Sequence, residues 1–258
     1  MKVALLAGGF GTRLSEETDA RPKPMVEIGG RPILWHIMQH YSHFGHREFV
    51  ILAGYKSYFI KEYFANYYLH QSDVTFETKT GKMIVHSNKS EDWTITIVDT
   101  GLDTQTGGRV LRAKKYLDDA PFLLTYGDGL SDLDINSLVD FHKTQKKTLT
   151  MTAVQPEGRF GALDIRTDNS VARFLEKPKG DGAWINGGFF VCDPKIFNYL
   201  TEGDKTIFER TPMELMAKDN QLAALKYDGF WKCMDTLRDK NELQSLWFEG
   251  RAPWKARG

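Results

Sequence analysis

Cysteine is scarce in this chain. Cys192 and Cys233 are the whole complement of two, and neither lies in a C-x-x-C spacing. That excludes a disulfide scaffold and a cysteine-based zinc site, and it fits a reducing, cytoplasmic setting. Net charge is missing as well: Lys plus Arg and Asp plus Glu stand at 34 each. No global field therefore draws the chain to nucleic acid or to an anionic membrane, and any anion site must be local. Long hydrophobic runs are absent. The apolar stretch over residues 1–7 stops at Gly8-Gly9, too short to cross a bilayer and without the small-residue pattern of a cleavage site. Repeats, low-complexity tracts and flexible linkers are missing too. What remains is 258 residues with 41% hydrophobic content, enough to bury one core in a globular unit with a subdivision.

Two further absences concern glycine. A dinucleotide fingerprint requires G-x-G-x-x-G, but the first turn reads Gly8-Gly9-Phe10-Gly11 followed by Thr12, Arg13 and Leu14. A Walker-type loop requires G-x-x-x-x-G-K-[ST], and that string does not occur. Hydride transfer on a dinucleotide and Walker-type hydrolysis both lose their usual signature.

Apolar runs alternate with amphipathic stretches through the first half, a pattern that predicts parallel strands joined by crossover helices. Strands are expected over 3–7, 49–53 and 122–126, and helices over 32–44, 56–67, 109–117 and 135–144. Between residues 73 and 98 the period changes to two, which predicts an antiparallel excursion. Strands at 149–154, 162–165, 171–176 and 189–192 then precede closing helices over 207–218 and 236–247. The fold class is α/β: a Rossmann-like, mixed and mainly parallel sheet flanked by helices.

The opening turn is still chemically pointed. A strand end delivers three glycines that allow close backbone approach, then a hydroxyl and a guanidinium. Arg13, Arg21 and Lys23 follow closely, and Lys23 is held between Pro22 and Pro24, which restrict the backbone on both sides. A rigid lysine beside a glycine turn suits a polyphosphate. A plain glycine turn with a surface arginine is the competing reading.

The strings "LAGGFGTRL" and "RPKPMVEIGGRPIL" resemble the N-terminal signature of the sugar-1-phosphate nucleotidyltransferases. "LLTYGDGLSDLDI", "GRFGALDI", "FLEKPKGDGAWINGGFFV" and "GFWKCMDTLRDK" extend the resemblance along the chain and are similar to the cytidylyl-transferring branch. Phe10 departs from the leucine common in that signature, and residues 206–220 follow the family loosely. The resemblance implies one nucleotidyltransferase domain over 1–258, with a nucleotide-binding part at about 1–147 and a C-terminal sugar-phosphate-binding part at about 148–258. It implies CTP and glucose 1-phosphate as substrates, Mg²⁺ as cofactor and a homo-oligomer. UTP or dTTP in place of CTP, and a non-catalytic sugar-nucleotide sensor, are the alternatives.

Nucleotidyl transfer concentrates negative charge on three phosphates, so its site must supply cations and hydrogen-bond donors. Arg13, Lys23 and Asp128 are the expected catalytic residues. Leu6, Ala7, Gly8, Gly9, Phe10, Gly11, Thr12, Arg13, Lys23, Thr104, Thr106, Gly108, Arg109, Gly127 and Asp128 are expected on the nucleotide. Asp128, between two glycines at a strand end, and Asp235, at a helix start, are the expected metal ligands, because two carboxylates with phosphate oxygens suit Mg²⁺. Taken singly, Asp128 also suits a turn and Asp235 a helix N-cap. By resemblance, Gly161, Glu176, Lys177, Asn186, Gly187 and Trp231 line the sugar-phosphate side.

His36, His40, His43 and His46 fall at helical spacing and invite a zinc reading. No carboxylate or cysteine accompanies them, so a solvated or interface helix face is expected instead. Phe59, Tyr63, Phe64, Tyr67 and Tyr68 are expected in the core or at a subunit contact, and Trp247, Phe248 and Trp254 against the last helix.

Overall fold

The computed structural model describes residues 1–156, 158, 162–175 and 183–255. At its centre is a seven-stranded sheet. In chain order its strands are β1 (Val3–Ala7), β2 (Glu48–Ala53), β3 (Thr94–Asp99), β4 (Phe122–Tyr126), β5 (Leu149–Val154), β6 (Ile185–Cys192) and β7 (Leu222–Tyr227). In space they lie β7-β5-β6-β4-β1-β2-β3, and every neighbouring pair is parallel except the two that involve β6. The mixed, mainly parallel sheet expected from the sequence is present. The longer helices are α1 (Ile33–His43), α2 (Ser57–Ala65), α3 (Thr106–Arg112), α4 (Ile135–Gln145), α5 (Thr211–Lys218) and α6 (Leu237–Phe248).

The central strand shows why helices cover both faces. All five residues of β1 are buried, and alternate side chains of a strand point to opposite faces. Val3, Leu5 and Ala7 enter a core with Ile33, Leu34, Ile37 and Tyr41 of α1. Ala4 and Leu6 enter a second core with Val110 of α3 and Met213 and Met216 of α5. Each fully buried leucine in these layers contributes about 2 kcal/mol relative to an exposed one.

Two pairings bring the site together. β1 and β4 are parallel neighbours with Leu6 opposite Tyr126, so Gly8 and Asp128 leave the sheet side by side. β6 runs against β4, with Phe189 opposite Thr125 and Cys192 opposite Phe122. Asn186 and Gly187, near its start, therefore lie at the same edge as the carboxyl end of β4. A short ladder of Gly129–Ser131 with Trp231–Cys233 then carries the chain before α6 back to that edge.

Some local expectations change. Only the first part of the 73–98 excursion is antiparallel, where Ser72–Glu77 pairs with Lys82–Asn88. Thr94–Asp99 is instead β3, the parallel edge strand beside β2. Alternation reports one wet and one dry face, which an edge strand also has, so it carries no information about partner direction. β7 is a strand that its sequence, LAALKY, conceals, since Ala and Lys are weak strand formers; its ladder with β5 supplies the difference. The helix expected over 109–117 begins earlier, at Thr106, and ends at Arg112. It tolerates Gly107 and Gly108 because a Cβ on Gly108 would meet the Asp204 backbone at 2.7 Å. The helix expected over 207–218 starts at Thr211, with Pro212 in its first turn. Among the described residues, no helix is long and apolar enough to cross a membrane.

Candidate functional site

A cavity of about 490 Å³ opens at the carboxyl edge of β1 and β4. All the residues expected on the nucleotide line it except Gly108, whose α-carbon faces the Asp204 backbone. The three turn glycines have different reasons for being glycine. A Cβ on Gly8 would lie 2.2 Å from the Arg109 guanidinium. Gly11 has φ 68°, a left-handed conformation that favours glycine. A Cβ on Gly9 would meet nothing within 4 Å, so only something entering the cavity would need that space. Phe10 sits at the rim, 44% exposed, with its ring 5.3 Å from that of Tyr55.

Lys23 is a buried, doubly paired cation in the cavity wall. Pro22 is extended at φ −66° and ψ 148°, and Lys23–Met25 forms a single tight turn. The ammonium is buried and donates to Asp128 Oδ2 at 2.5 Å and to Asp235 Oδ1 at 2.7 Å. Burial opposes its charge, but Asp128 and Asp235 with their neighbour Cys233 together outweigh that and hold the Lys23 pKa above the ordinary lysine value. Arg13 donates to the other oxygen of Asp235 at 2.7 Å, from a side chain that is 72% exposed. Burial pushes the Asp235 carboxyl up, yet Lys23 and Arg13 prevail and hold it below the usual carboxylate range. Two carboxylates and two cations thus balance in one cluster. Lys23 is buried there, while Arg13 reaches the cluster from the exposed side.

Asp235 is available because it is not the helix cap. Thr236 caps α6, accepting from Asp239 N–H while the Asp239 carboxylate accepts from the Thr236 N–H. Met234 N–H donates to Asp128 O at 2.9 Å, which locks the two acidic segments together. Among the described residues, Asp128, Cys233 and Asp235 bring one potential ligand atom each to within 4.8 Å of one another. Burial and then Asp128 push the Cys233 thiol up. The two carboxylates suit a hard divalent cation that takes its other ligands from phosphate and water, whereas the soft thiol suits such an ion poorly.

Arg109 lines the cavity, but its guanidinium works within the wall. It donates to Thr100 Oγ1 and Gly101 O at 2.7 Å and to Leu102 O at 3.1 Å, directly beneath Gly8 and Gly54. It braces the loop 101–105 against the glycine turn. Thr104 is buried on that loop, and Thr106 opens α3.

On the expected sugar side, Asn186 Nδ2 donates to the Tyr126 hydroxyl at 3.2 Å and its Oδ1 accepts from Gly188 N–H at 2.9 Å. Trp231 Nε1 donates to Gly187 O at 2.6 Å. These residues flank the cavity at the β6 end without lining it. Gly161, Glu176 and Lys177 lie outside the described residues.

Of the four histidines expected on a solvated or interface face, His43 is exposed and His46 half-buried, but His36 and His40 turn inward. His36 and His40 are buried, and their Nε2 atoms meet the carbonyls of Ile28 and Leu133 at 2.8 Å. A carbonyl only accepts and the Trp254 indole N–H, 3.4 Å from His36 Nδ1, only donates. His36 is therefore the neutral tautomer with its proton on Nε2. Burial moves both histidines down to about 4. Phe59, Tyr63, Phe64 and Trp247 pack against the core and Trp254 is within it, whereas Tyr68 and Phe248 are exposed.

Sequence reasoning passed over Tyr126 and Glu209. The Glu209 carboxylate accepts from Thr106 Oγ1 and from the Tyr126 hydroxyl, each at 2.6 Å. Burial and then Glu209 push the Tyr126 phenol up. Thr106 and Glu209 are 103 positions apart, so no local motif announces the contact.

With this geometry in hand, the likenesses to known proteins are consistent. The family model described as nucleotidyl transferase matches residues 2–240. The glucose-1-phosphate cytidylyltransferase of Salmonella typhimurium is 57% identical over 256 residues, 99% of each chain. A probable glucose-1-phosphate cytidylyltransferase of Bacillus subtilis is 44% identical over 255 residues, again 99% of each. Among solved structures, HddC from Yersinia pseudotuberculosis superimposes with a TM-score of 0.68 at 24% identity, covering 95% of this chain and 99% of that one. The last likeness is one of fold.

Proposed function

The chain belongs to the nucleotidyl transferase family, and from that premise we propose that it transfers the cytidylyl group of CTP to α-D-glucose 1-phosphate, giving CDP-glucose and pyrophosphate. A phosphate oxygen of glucose 1-phosphate attacks the α-phosphorus, and the bond from that phosphorus to the bridging oxygen of the β-phosphate breaks. One phosphoanhydride replaces another, so the step is readily reversible.

The observation that carries the chemistry is Lys23, held between Asp128 and Asp235 beside the glycine turn. In this reading the turn from Gly8 to Gly11 presents its backbone to the triphosphate. Lys23 and Arg13 face the charge that grows on the α-phosphate and the leaving pyrophosphate. Asp128 and Asp235 hold Mg²⁺, which when bound neutralises phosphate oxygens and orients them. Lys23 then has to exchange part of its contact with the carboxylates for contact with phosphate, so the ammonium is already desolvated when substrate arrives. Thr104, Thr106 and Arg109 line the base and ribose side, and Asn186, Gly187 and Trp231 border the sugar side. The full-length identity to a glucose-1-phosphate cytidylyltransferase supports the choice of cytosine and glucose.

The two unpaired cysteines support a reducing, cytoplasmic setting. Self-association belongs to the same reading: Phe76 and Met83 face each other across the hairpin and are both exposed, and light scattering tests it. The deciding experiment incubates the protein with glucose 1-phosphate, Mg²⁺ and CTP, UTP or dTTP in turn and measures pyrophosphate. Release with CTP is expected. Silence with all three would sink the enzyme reading, and a preference for UTP or dTTP would sink the cytidylyl one.

A further inference from the structure

Glu209 uses both carboxylate oxygens on hydroxyls of two residues that line the cavity on different elements. Oε2 accepts from Thr106 at 2.6 Å, and Thr106 itself accepts the Phe208 N–H at 2.9 Å. Oε1 accepts from Tyr126 at 2.6 Å, and Tyr126 accepts from Asn186 Nδ2 at 3.2 Å. Thr106 opens α3 on the nucleotide loop, Tyr126 immediately precedes Gly127-Asp128, and Asn186 is the second residue of β6. Thr106 and Tyr126 line the cavity, whereas Glu209 stands behind them. Both hydroxyls donate, and the two oxygens of one carboxylate accept them.

We infer that Glu209 is a positioning residue that ties the nucleotide loop to the sugar-phosphate side, so that a seated nucleotide pre-orders Tyr126 and Asn186 for the second substrate. This rests on the reading of the cavity as a nucleotidyl transfer site. An attack in line with the departing pyrophosphate requires the two substrates to be fixed relative to one another, not merely bound. Ordering contacts shared by two sites appears as positive coupling between their ligands.

The test measures that coupling by calorimetry, with the α,β-methylene analogue of CTP, which cannot be cleaved, and glucose 1-phosphate. In the unaltered protein, glucose 1-phosphate binds tighter by about tenfold when the analogue is present. Glu209→Gln keeps one acceptor but presents an amide N–H₂ to the other hydroxyl. It should bring the ratio close to one, leave the affinity for the analogue alone within about twofold, and lower kcat more than it raises either KM. Tyr126→Phe removes the donor and leaves the carboxylate, so it should reduce the ratio in the same way and serves where Glu209→Gln folds poorly. Coupling in both variants equal to that of the unaltered protein overturns the proposal, as does an unaltered protein with no coupling. Failure of the analogue to bind, with no pyrophosphate from any triphosphate, would instead overturn the reading of the site.

Discussion

Lys23 and Asp128 form an ion pair of 2.5 Å across 105 positions of chain, and the same ammonium reaches Asp235 at 2.7 Å. The lysine thereby occupies the space between the two carboxylates that suit a divalent cation. Lys23→Met should have two opposite effects. Turnover falls by about 100-fold or more, the usual cost of removing one donor aimed at developing charge. Affinity for Mn²⁺ without nucleotide rises, because two carboxylates are left with Arg13 alone. Equilibrium titration followed by paramagnetic resonance reads the second effect, and an unchanged Mn²⁺ affinity would contradict it.

Asp235 and Thr236 are adjacent but should separate cleanly. Thr236 holds the capping box of α6, so Thr236→Ala costs about 1 kcal/mol of stability and leaves most of the activity. Asp235→Asn keeps the cap and loses about 100-fold or more in turnover, the scale of several kcal/mol of charge stabilisation. Urea unfolding and initial rates on both variants check the pair; equal losses of activity would show that the cap, not the carboxylate, is what matters.

The glycine turn makes a sharper prediction than a motif can. Gly8→Ala would force its methyl to within 2.2 Å of the Arg109 guanidinium, so it should destabilise the fold by about 1–3 kcal/mol, as overpacking does. Gly9→Ala meets nothing within 4 Å and should leave stability within about 0.5 kcal/mol while raising the KM for CTP. Thermal midpoints paired with KM values decide it, and a Gly9→Ala variant with unchanged KM would remove that glycine from the phosphate contact.

Acid should destabilise the protein through its buried histidines. His36 and His40 are held at about 4 by burial, against an ordinary 6.5. Below pH 6.5 the unfolded chain binds protons that the folded chain refuses, so stability is complete above 6.5 and is lost as pH falls toward 4. Between pH 7.5 and 5 the loss is on the order of 2 kcal/mol per histidine. His36→Gln should flatten part of this slope in urea midpoints at the two pH values, and a slope identical to that of the unaltered protein would assign the effect elsewhere.

The sequence by itself determined the parts of this protein that short-range physics controls. An apolar run of five residues made β1, three glycines made the turn, and flanking prolines made Lys23 rigid, because backbone restriction and periodicity act within a few residues. It also marked Asp128 and Asp235 as candidates, although each had an equally good local use as a turn or cap residue. Only the tertiary structure decided between those uses. Thr236 took the cap, and the Gly129–Ser131 ladder with Trp231–Cys233 brought the carboxylates to one ammonium. The direction of β3, the burial of His36 and His40, the bracing role of Arg109 and the bridge at Glu209 were decided in the same way. Each depends on a partner distant in sequence, and hydrophobic periodicity records which face of an element is dry without recording what will cover it.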